Sequence, residues 1–597
     1  MDMYGFYTGK ILDAYEYLGC HIDNDTATFR TYAPAASRIS VIGDFNQWNE
    51  TPMQKIYDGQ FWECTISGVK PGMMYKYRIY RRDGGVVEHA DPYGFGMELR
   101  PNSASIVREL HTHTFHDEKW LKNRNDHKTK PLNIYELHFG SWKNNTANEN
   151  GWYSYAELAP LLIPYVKEHG YNYIELMPIA EHPCDNSWGY QGTGFYSPTA
   201  RYGTGKELMK FIDLCHQNEI GVILDFVPVH FAVDSYGLAE YDGTALYEYP
   251  HVDVGFSEWG SKNFNHSRGE VQSFLQSCAN YWIKEYHFDG IRIDALSNII
   301  YWHGNKDRGV NGNAVDFIRH MNHSLKAAHP GIMLIAEDST SYPGVTAPTE
   351  NGGLGFDYKW DMGWMNDTLD YFRLHPYDRK AAYHKLTFSM MYFYNEAYLL
   401  PLSHDEVVHG KATILQKMNG EYEQKFPQAR ALYMYMYAHP GKKLNFMGNE
   451  FGQLREWDER REQDWELLKF PIHDAFSLFM KDLSQLYLKT PAFSENDFSS
   501  DGFQWLDCHQ EEKLIYAFER KTPAQRIAAV FNFSAETQTY QLPVNEAKAL
   551  QLLLSSDEEA YGGSQKYNKR KKYPATNGFV SLELPAFSGT YFKILDK

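Results

Sequence analysis

The chain has 597 residues, of which 43% are hydrophobic and 22% are charged, and this length and composition predict a globular protein with more than one domain. The formal net charge of −18 opposes binding to nucleic acid and to anionic membranes. No apolar run approaches the roughly 20 residues of a membrane-spanning helix. We therefore expect neither a nucleic-acid partner nor a membrane partner.

The cysteines and the start of the sequence indicate the compartment. The six cysteines are scattered and include no Cys-x-x-Cys pair, which is typical of free thiols in a reducing environment. Residues 1–5 show no basic segment followed by an apolar one, so we expect no secretory signal. These features predict a cytoplasmic protein, and we expect it to be a monomer.

The first part of the chain has the pattern of short β-strands. Residues 38–42 and 75–80 alternate between apolar and polar side chains, and a turn signal stands at residues 70–73. Residues 27–107 are therefore predicted to form a β-sandwich. The polar residues 123–131 are predicted to be a linker.

From residue 133 the pattern changes to short buried strands that alternate with helical segments. Eight strands are predicted, at residues 133–138, 173–178, 221–227, 290–294, 333–337, 356–359, 398–404 and 443–447. Helical periodicity is present at residues 155–169, 205–218, 270–286 and 315–328. This alternation predicts a (β/α)8 TIM barrel, with an active site at the C-terminal ends of its strands.

From about residue 500 the pattern is again typical of β-strands. Four strands are predicted, at residues 513–520, 526–533, 537–542 and 579–584. The fold class is therefore a multidomain α/β protein, with a TIM barrel between an N-terminal and a C-terminal β-sandwich.

Charged side chains stand at the ends of four predicted barrel strands. They include Asp225 in strand three, Arg292 and Asp294 in strand four, Glu337 in strand five and Asp405 after strand seven. Any one such acid is commonly a structural cap or half of a surface ion pair. Because buried charges must be paired or used, four such strand ends in one barrel favour a functional site.

Three acids at one barrel mouth suit the chemistry of retaining glycosidases, which need a nucleophilic carboxylate close to a proton donor. Arg292 precedes Asp294 by two residues, so both face one side of the strand, where the guanidinium would keep Asp294 ionised. The apolar residues before Glu337 favour a buried proton donor with a raised pKa. Asp405 would hold sugar hydroxyls and stabilise the oxocarbenium-like state.

Other chemistries have less support in the sequence. It contains no phosphate-binding P-loop, no Gly-x-Gly-x-x-Gly at the start of a helix after a strand, and no His-Glu-x-x-His. His404, Asp405 and His409 are metal-ligand types, but this grouping gives little indication of a metal site. We therefore expect no metal and no organic cofactor.

The same strand ends resemble the conserved regions of the α-amylase family of glycoside hydrolases, and within it the bacterial glycogen branching enzymes. The four matching segments are residues 225–230, 290–295, 335–339 and 402–411. Further segments are similar to ones more specific to branching enzymes, at residues 43–49, 188–191, 353–360 and 446–452.

The resemblance implies three domains and a role for each site residue. The domains are a carbohydrate-binding-type β-sandwich at residues 1–110, a catalytic barrel at 111–495 and a C-terminal β-sandwich at 496–597. Asp294 would be the nucleophile, Glu337 the acid and base, and Asp405 the transition-state stabiliser. The resemblance also implies sugar-binding or supporting roles for Tyr190, Asp225, His230, Arg292 and His404, and Trp48 would contact glucan or belong to the core.

The implied reaction cleaves an α-1,4-glucan such as amylose, amylopectin or glycogen and joins the segment to a 6-hydroxyl as an α-1,6 branch, with retention. Two alternatives stay open. A hydrolase of the amylase, debranching or trehalose-releasing type would use the same carboxylates. A non-catalytic glucan-binding protein would not need them, and the intact set of three acids counts against it.

Overall fold

A closed barrel of eight parallel strands forms the middle of the chain in the computed structural model, which describes residues 1–566, 568 and 570–596. The predicted TIM barrel is therefore confirmed. Its strands are β1 (Asn133–Leu137), β2 (Tyr173–Leu176), β3 (Gly221–Phe226), β4 (Gly290–Ile293), β5 (Met333–Ala336), β6 (Tyr358–Trp360), β7 (Tyr398–Leu402) and β8 (Lys442–Phe446).

The barrel strands are short and buried along their whole length, as expected for parallel strands covered on both faces. The strands β4, β5 and β7 end one or two residues earlier than predicted, so Asp294, Glu337 and His404 follow their strands. The strands β4 and β5 lie so close that a Cβ atom on Gly290 would be 2.4 Å from the Met333 carbonyl oxygen. Glycine at this position therefore allows the first residues of the two strands to pack closely.

Among the described residues, seven long helices surround the barrel. They are α1 (Tyr155–Glu168), α2 (Gly205–Gln217), α3 (Gly269–Tyr286), α4 (Gly312–Ala328), α5 (Met362–Arg373), α6 (Tyr422–Ala438) and α7 (Pro471–Lys489). The four predicted helices are among them. Ser154 begins α1 and Thr204 begins α2, each in a reciprocal hydrogen-bonded cap with the glutamate three residues later.

The barrel departs from regular alternation at one place. Between β5 and β6, in residues 337–357, all of which are described, the only helical element is the single turn Thr349–Asn351. The outer surface of the barrel wall is therefore covered there by a loop instead of a helix.

Two antiparallel sheets precede the barrel and confirm the predicted N-terminal β-sandwich. One contains Gly19–Asp23, Thr26–Tyr32, Gln54–Ile56 and Phe61–Ser67, and the other Arg38–Gly43, Thr51–Pro52, Met74–Tyr80, Val86–His89 and Ser105–Ile106. Between them, Phe29 contacts Tyr75 with ring centroids 5.0 Å apart. The segment 123–131, which was predicted to be a linker, packs against the barrel instead of standing free of it. His127 Nδ1 lies 2.9 Å from the hydroxyl of Tyr358 in β6.

A six-stranded and a two-stranded sheet follow the barrel and confirm the predicted C-terminal β-domain. The strands are Phe503–Gln510, Ile515–Thr522, Gln525–Asn532, Ala547–Ser555, Lys572–Pro574 and Ser588–Asp596, with Gln538–Pro543 and Phe579–Leu584 as the smaller pair. Four of these strands had not been predicted. The domain boundaries near residues 110 and 495 stay predictions, and Lys597, the end of the third range, lies outside the described residues.

Within the described part of the chain, no helix has both the length and the apolarity needed to cross a membrane. The six cysteines, which all lie in this part, are unpaired.

A buried ion cluster joins the barrel to the C-terminal domain. Asp497 lies 3.1 Å from Lys442 Nζ, at the start of β8, and 2.7 Å from Arg520 Nη2, in the strand Ile515–Thr522. All three side chains are fully buried. One carboxylate therefore balances two buried cations from two domains.

We predict that Asp497→Ala destabilises the protein by about 3–5 kcal/mol, because it leaves two buried cations without their partner. The measurement is the thermal unfolding midpoint, which should fall by several degrees. Glu466→Ala is the matched control, since it removes a carboxylate from an exposed pair with Lys469 and should change the midpoint little. Equal midpoints for the Asp497 variant and the wild type would contradict the prediction.

Candidate active site

One fully buried guanidinium organises the mouth of the barrel. Arg292, in β4, donates from Nη1 to both oxygens of Asp225 at 2.6 Å and to Asp294 Oδ1 at 3.1 Å. Its Nη2 donates to Glu337 Oε2 at 2.6 Å. The structure thus brings together three of the predicted acids, from β3 and from the residues that follow β4 and β5.

A sharp turn after β4 holds two of these acids side by side. Ala295 follows Asp294 with a φ of 46°, in the left-handed region that alanine rarely adopts. Its N–H donates to Glu337 Oε2 at 3.0 Å. The strained turn therefore links the backbone of the Asp294 segment directly to the Glu337 carboxylate.

A second group of predicted residues lies against the first. The Tyr190 hydroxyl donates to Asp225 Oδ2 and lies 3.4 Å from His404 Nε2. The Tyr190 and His404 rings are stacked with centroids 5.7 Å apart. His404 Nε2 also lies 3.5 Å from Asp405 Oδ1. Asp405 is the most accessible of the acids, with 41% of its side chain exposed, against 15% for Asp294 and 18% for Glu337.

His230 stands at the edge of this group. It lies in the two-residue strand His230–Phe231, and its ring contacts Trp259 with centroids 5.1 Å apart. Burial lowers the pKa of His230 to about 4, so the imidazole is neutral. Nδ1 has no hydrogen-bond partner among the residues that are described, which leaves this polar atom without a protein contact.

The charge balance of the mouth is unequal, because one guanidinium faces three carboxylates. Burial raises the pKa of Asp294 well above its ordinary value, Arg292 opposes this shift, and Glu337 and Asp225 add to it. The sequence had suggested that Arg292 would simply keep Asp294 ionised. The Arg292 guanidinium contacts both Asp294 and Glu337, so it is the group that offsets the cost of burying these carboxylates.

His404 is a cation for a reason that the sequence analysis missed. Its backbone N–H donates to Glu136 Oε2 at 2.8 Å, and its Nδ1 bonds Glu136 Oε1. Burial lowers the pKa of His404, but Asp405 and Glu136 raise it to about 10. The imidazolium therefore offsets part of the negative charge of the site.

Two buried residues on neighbouring strands also escaped the sequence analysis. Glu136 in β1 pairs in register with Glu175 in β2, and both are fully buried. Burial and the nearby Glu136 raise the pKa of Glu175 well above its ordinary value, which favours the uncharged form of this carboxyl group. A signal existed in the sequence, since each glutamate interrupts an otherwise apolar strand.

Trp360 in β6 completes the support of the guanidinium. The Arg292 carbon Cζ lies 4.4 Å from the centroid of the Trp360 ring, an arrangement that stabilises a cation. In the part of the chain that is described, no group of three or more His, Cys, Asp or Glu side chains is arranged to hold a metal ion. The site thus consists of carboxylates, a guanidinium, imidazoles and aromatic rings.

Three family patterns match the chain. The pattern described as "Alpha amylase, catalytic domain" matches residues 162–241 and 255–536. "Carbohydrate-binding module 48 (Isoamylase N-terminal domain)" matches residues 17–94, and "Alpha amylase, C-terminal all-beta domain" matches residues 505–594.

Characterised relatives are similar over nearly the whole chain. The 1,4-alpha-glucan branching enzyme GlgB of Fusobacterium nucleatum is 46% identical over 96% of this chain and 94% of its own length. The enzyme of the same name from Bacillus subtilis is 44% identical over 100% of this chain and 98% of its own length.

Solved structures share the fold at lower identity. A putative α-amylase from Salmonella typhimurium has a TM-score of 0.72 at 18% identity, over 97% of this chain and 99% of its own. A pullulanase from Bacillus acidopullulyticus has a TM-score of 0.72 at 18% identity, over 96% of this chain and 74% of its own.

We predict that the His404–Glu136 pair makes stability depend on pH in the alkaline range. The pKa of His404 is about 10 in the folded state and about 6.5 in an unfolded chain. The stability from this pair is therefore fully present below about pH 6.5 and is lost as the pH rises towards 10.

The measurement compares thermal midpoints of the wild type and of the double variant Glu136→Gln with His404→Gln, in which both groups are neutral amides. The difference should be largest near pH 6 and shrink towards pH 10. His230→Gln is the control, because His230 is already neutral in this range. A difference that stays constant with pH would refute the assignment.

Proposed function

We propose, because the chain belongs to the α-amylase family and within it to the 1,4-α-glucan branching enzymes, that it cleaves α-1,4-glucan chains and joins the cut segment to a 6-hydroxyl. The product is an α-1,6 branch, as in glycogen synthesis. The observation that carries the proposal is the sharing of one buried guanidinium, Arg292, by Asp294 and Glu337 at the barrel mouth. Two carboxylates held next to each other support the roles of nucleophile and proton donor that a retaining mechanism requires.

In the first half of the reaction, Asp294 attacks the anomeric carbon of a glucan unit. Glu337 gives its proton to the glycosidic oxygen, so the bond from C1 to this oxygen breaks as the bond from C1 to Asp294 forms. Arg292 then stabilises whichever carboxylate carries the charge.

In the second half, Glu337 takes the proton of the 6-hydroxyl of an acceptor chain. The acceptor oxygen attacks C1, and Asp294 leaves as a carboxylate. Two inversions give net retention. The mechanism needs no metal and no organic cofactor.

The other site residues would bind the donor sugar. The exposed Asp405 carboxylate can accept hydrogen bonds from sugar hydroxyls and stabilise positive charge at the transition state. Protonated His404 and neutral His230 supply hydrogen-bond donors. The Tyr190 ring, held by Asp225, offers a face on which a sugar stacks.

The remaining assignments concern the whole protein. We propose α-glucans such as amylose, amylopectin and glycogen as its substrates, and residues 1–110, 111–495 and 496–597 as its domains. In the first domain, Trp48 is 38% exposed, which suits a contact with glucan. The six unpaired cysteines favour the cytoplasm. We also propose that the protein is a monomer.

Hydrolysis is the main alternative, because water and a sugar hydroxyl compete for the same covalent intermediate. We predict that incubation with amylose removes the iodine colour without a matching rise in reducing ends. The measurement follows both signals in one reaction, together with new α-1,6 bonds. A rise in reducing ends that matches the bonds broken would identify a hydrolase instead.

We predict that Asp294→Ala reduces branching by at least about 1,000-fold, because no covalent intermediate can form without the nucleophile. Asp316→Ala is the control, since it removes an exposed carboxylate from α4 and should leave the rate unchanged. If Asp294→Ala retained the wild-type rate, the assignment of the nucleophile would be wrong, and a non-catalytic role would be favoured.

A further inference from the structure

An exposed tryptophan stands at the rim of the barrel mouth. Trp259 lies in the segment between β3 and α3, and 46% of the residue is exposed. Its ring centroid lies 5.1 Å from that of His230, with 38° between the two ring planes. Among the described residues, this is the only contact of the indole with another aromatic ring. A large ring is therefore half open to solvent beside a residue of the proposed donor site.

The backbone fixes the segment that carries Trp259 to the barrel mouth. The short strand Lys262–Asn263 pairs antiparallel with the strand His230–Phe231. Just before it, a tight turn is closed by a hydrogen bond of 2.8 Å from the Ser257 N–H to the Ser261 carbonyl oxygen. Because the chain under the indole is already ordered, a ligand that covers the ring would lose little affinity to the ordering of this segment.

Two side-chain contacts attach the same turn to segments on either side of the proposed donor site. Gln191, the residue after the tyrosine on which the donor sugar would stack, donates from Nε2 to the Trp259 carbonyl oxygen at 3.3 Å. Asn298 Nδ2 lies 3.5 Å from Glu258 Oε1, and it belongs to the short helix that follows Asp294. The turn therefore borders the space above the proposed nucleophile.

The short helix after β4 also places the turn on the side of Glu337. The Leu296 N–H donates to the Glu337 carbonyl oxygen at 2.9 Å, and the Ala295 N–H donates to Glu337 Oε2 at 3.0 Å. Asp405, in contrast, follows β7, which lies opposite β3 in the closed barrel. A general acid contacts the oxygen between the donor sugar and the leaving chain, so the glucan on this side is the leaving chain and later the acceptor chain.

The donor chain has a different path available. A cavity of about 190 Å³ is lined by residues that follow β1, β2 and β8, among them His138, His182 and Glu459. In the closed barrel these three strands lie on the far side of the mouth from β5. A chain that extends from the donor sugar away from Glu337 can therefore run there without meeting Trp259.

We propose that Trp259 is the stacking platform for the glucan chain on the Glu337 side of the site, which is the leaving chain in the first half of the reaction and the acceptor chain in the second. The proposal rests on the branching function proposed above and names the residue that holds the acceptor. An indole face suits the apolar face of a sugar ring, while the sugar hydroxyls stay in water. A held acceptor competes better with water for the covalent intermediate.

The first test identifies which bond the full chain cuts in a malto-oligosaccharide of defined length with a label at its reducing end. The label stays on the leaving chain, so the length of the labelled product counts the sugars bound on the Glu337 side. For Trp259→Ala the labelled products should become shorter, because binding modes that fill the platform become about tenfold weaker without the stacked ring. Labelled products that become longer would place Trp259 on the donor side and overturn the proposal.

The second test varies an end-labelled acceptor at a fixed concentration of amylose. Trp259→Ala should raise the acceptor KM by about tenfold, and Trp259→Phe, which retains a smaller ring, by about threefold or less. The number of reducing ends formed per α-1,6 bond should rise in the same order, because water then meets less competition. Tyr377→Ala, which removes a ring that is 76% exposed and belongs to the segment after α5, should leave both quantities unchanged.

A binding measurement separates this proposal from the proposed reaction. Calorimetry measures the affinity for the same malto-oligosaccharide in the Asp294→Ala background, with and without Trp259→Ala, after thermal unfolding has shown that both variants fold. Weaker binding with Trp259→Ala supports the platform even if the wild type forms no α-1,6 bonds, an outcome that would overturn only the branching function. Unchanged binding with Trp259→Ala would overturn the platform, even in a chain that does form these bonds.

Discussion

The interaction on which the site depends is the contact of the Arg292 guanidinium with Asp225, Asp294 and Glu337. A fully buried guanidinium is unfavourable unless its charge and its donors are satisfied, and these carboxylates come from three neighbouring strands. The contacts that compensate for burying the Arg292 cation therefore also fix the positions of Asp294 and Glu337, the two acids that the proposed reaction needs. The Trp360 ring covers the guanidinium on one face and shares in its stabilisation.

A second layer of buried ionisable groups lies beside this contact. Glu136 holds His404 as an imidazolium, and His404 in turn faces Asp405 and stacks on Tyr190. Burial and the neighbouring Glu136 raise the pKa of Glu175 well above its ordinary value, which favours its uncharged form. Protons on His404 and Glu175 reduce the net negative charge of the barrel mouth. A more negative mouth would raise the free-energy cost of ionising Asp294, the proposed nucleophile.

In the described part of the chain, a helix follows every barrel strand except β5, where a loop takes its place. This loop is held by Lys359 and Glu396. On the other side of the barrel, the ion cluster around Asp497 binds β8 to the C-terminal domain. The barrel wall is therefore covered by another domain near β8 and by a loop between β5 and β6.

The sequence by itself determined the fold class, the eight barrel strands and the group of acids at the strand ends, because strand periodicity and charged residues at the ends of apolar runs are local patterns. The residues Asp225, Arg292, Asp294 and Glu337 were found in this way. Only the tertiary structure decided that the carboxylates of Asp225, Asp294 and Glu337 all contact the Arg292 guanidinium. It also decided that Glu136 and Glu175 lie beside the site and that a loop replaces one barrel helix. These features depend on contacts between residues far apart in the chain, and the burial that shifts a pKa is a property of the surrounding fold, which no local pattern contains.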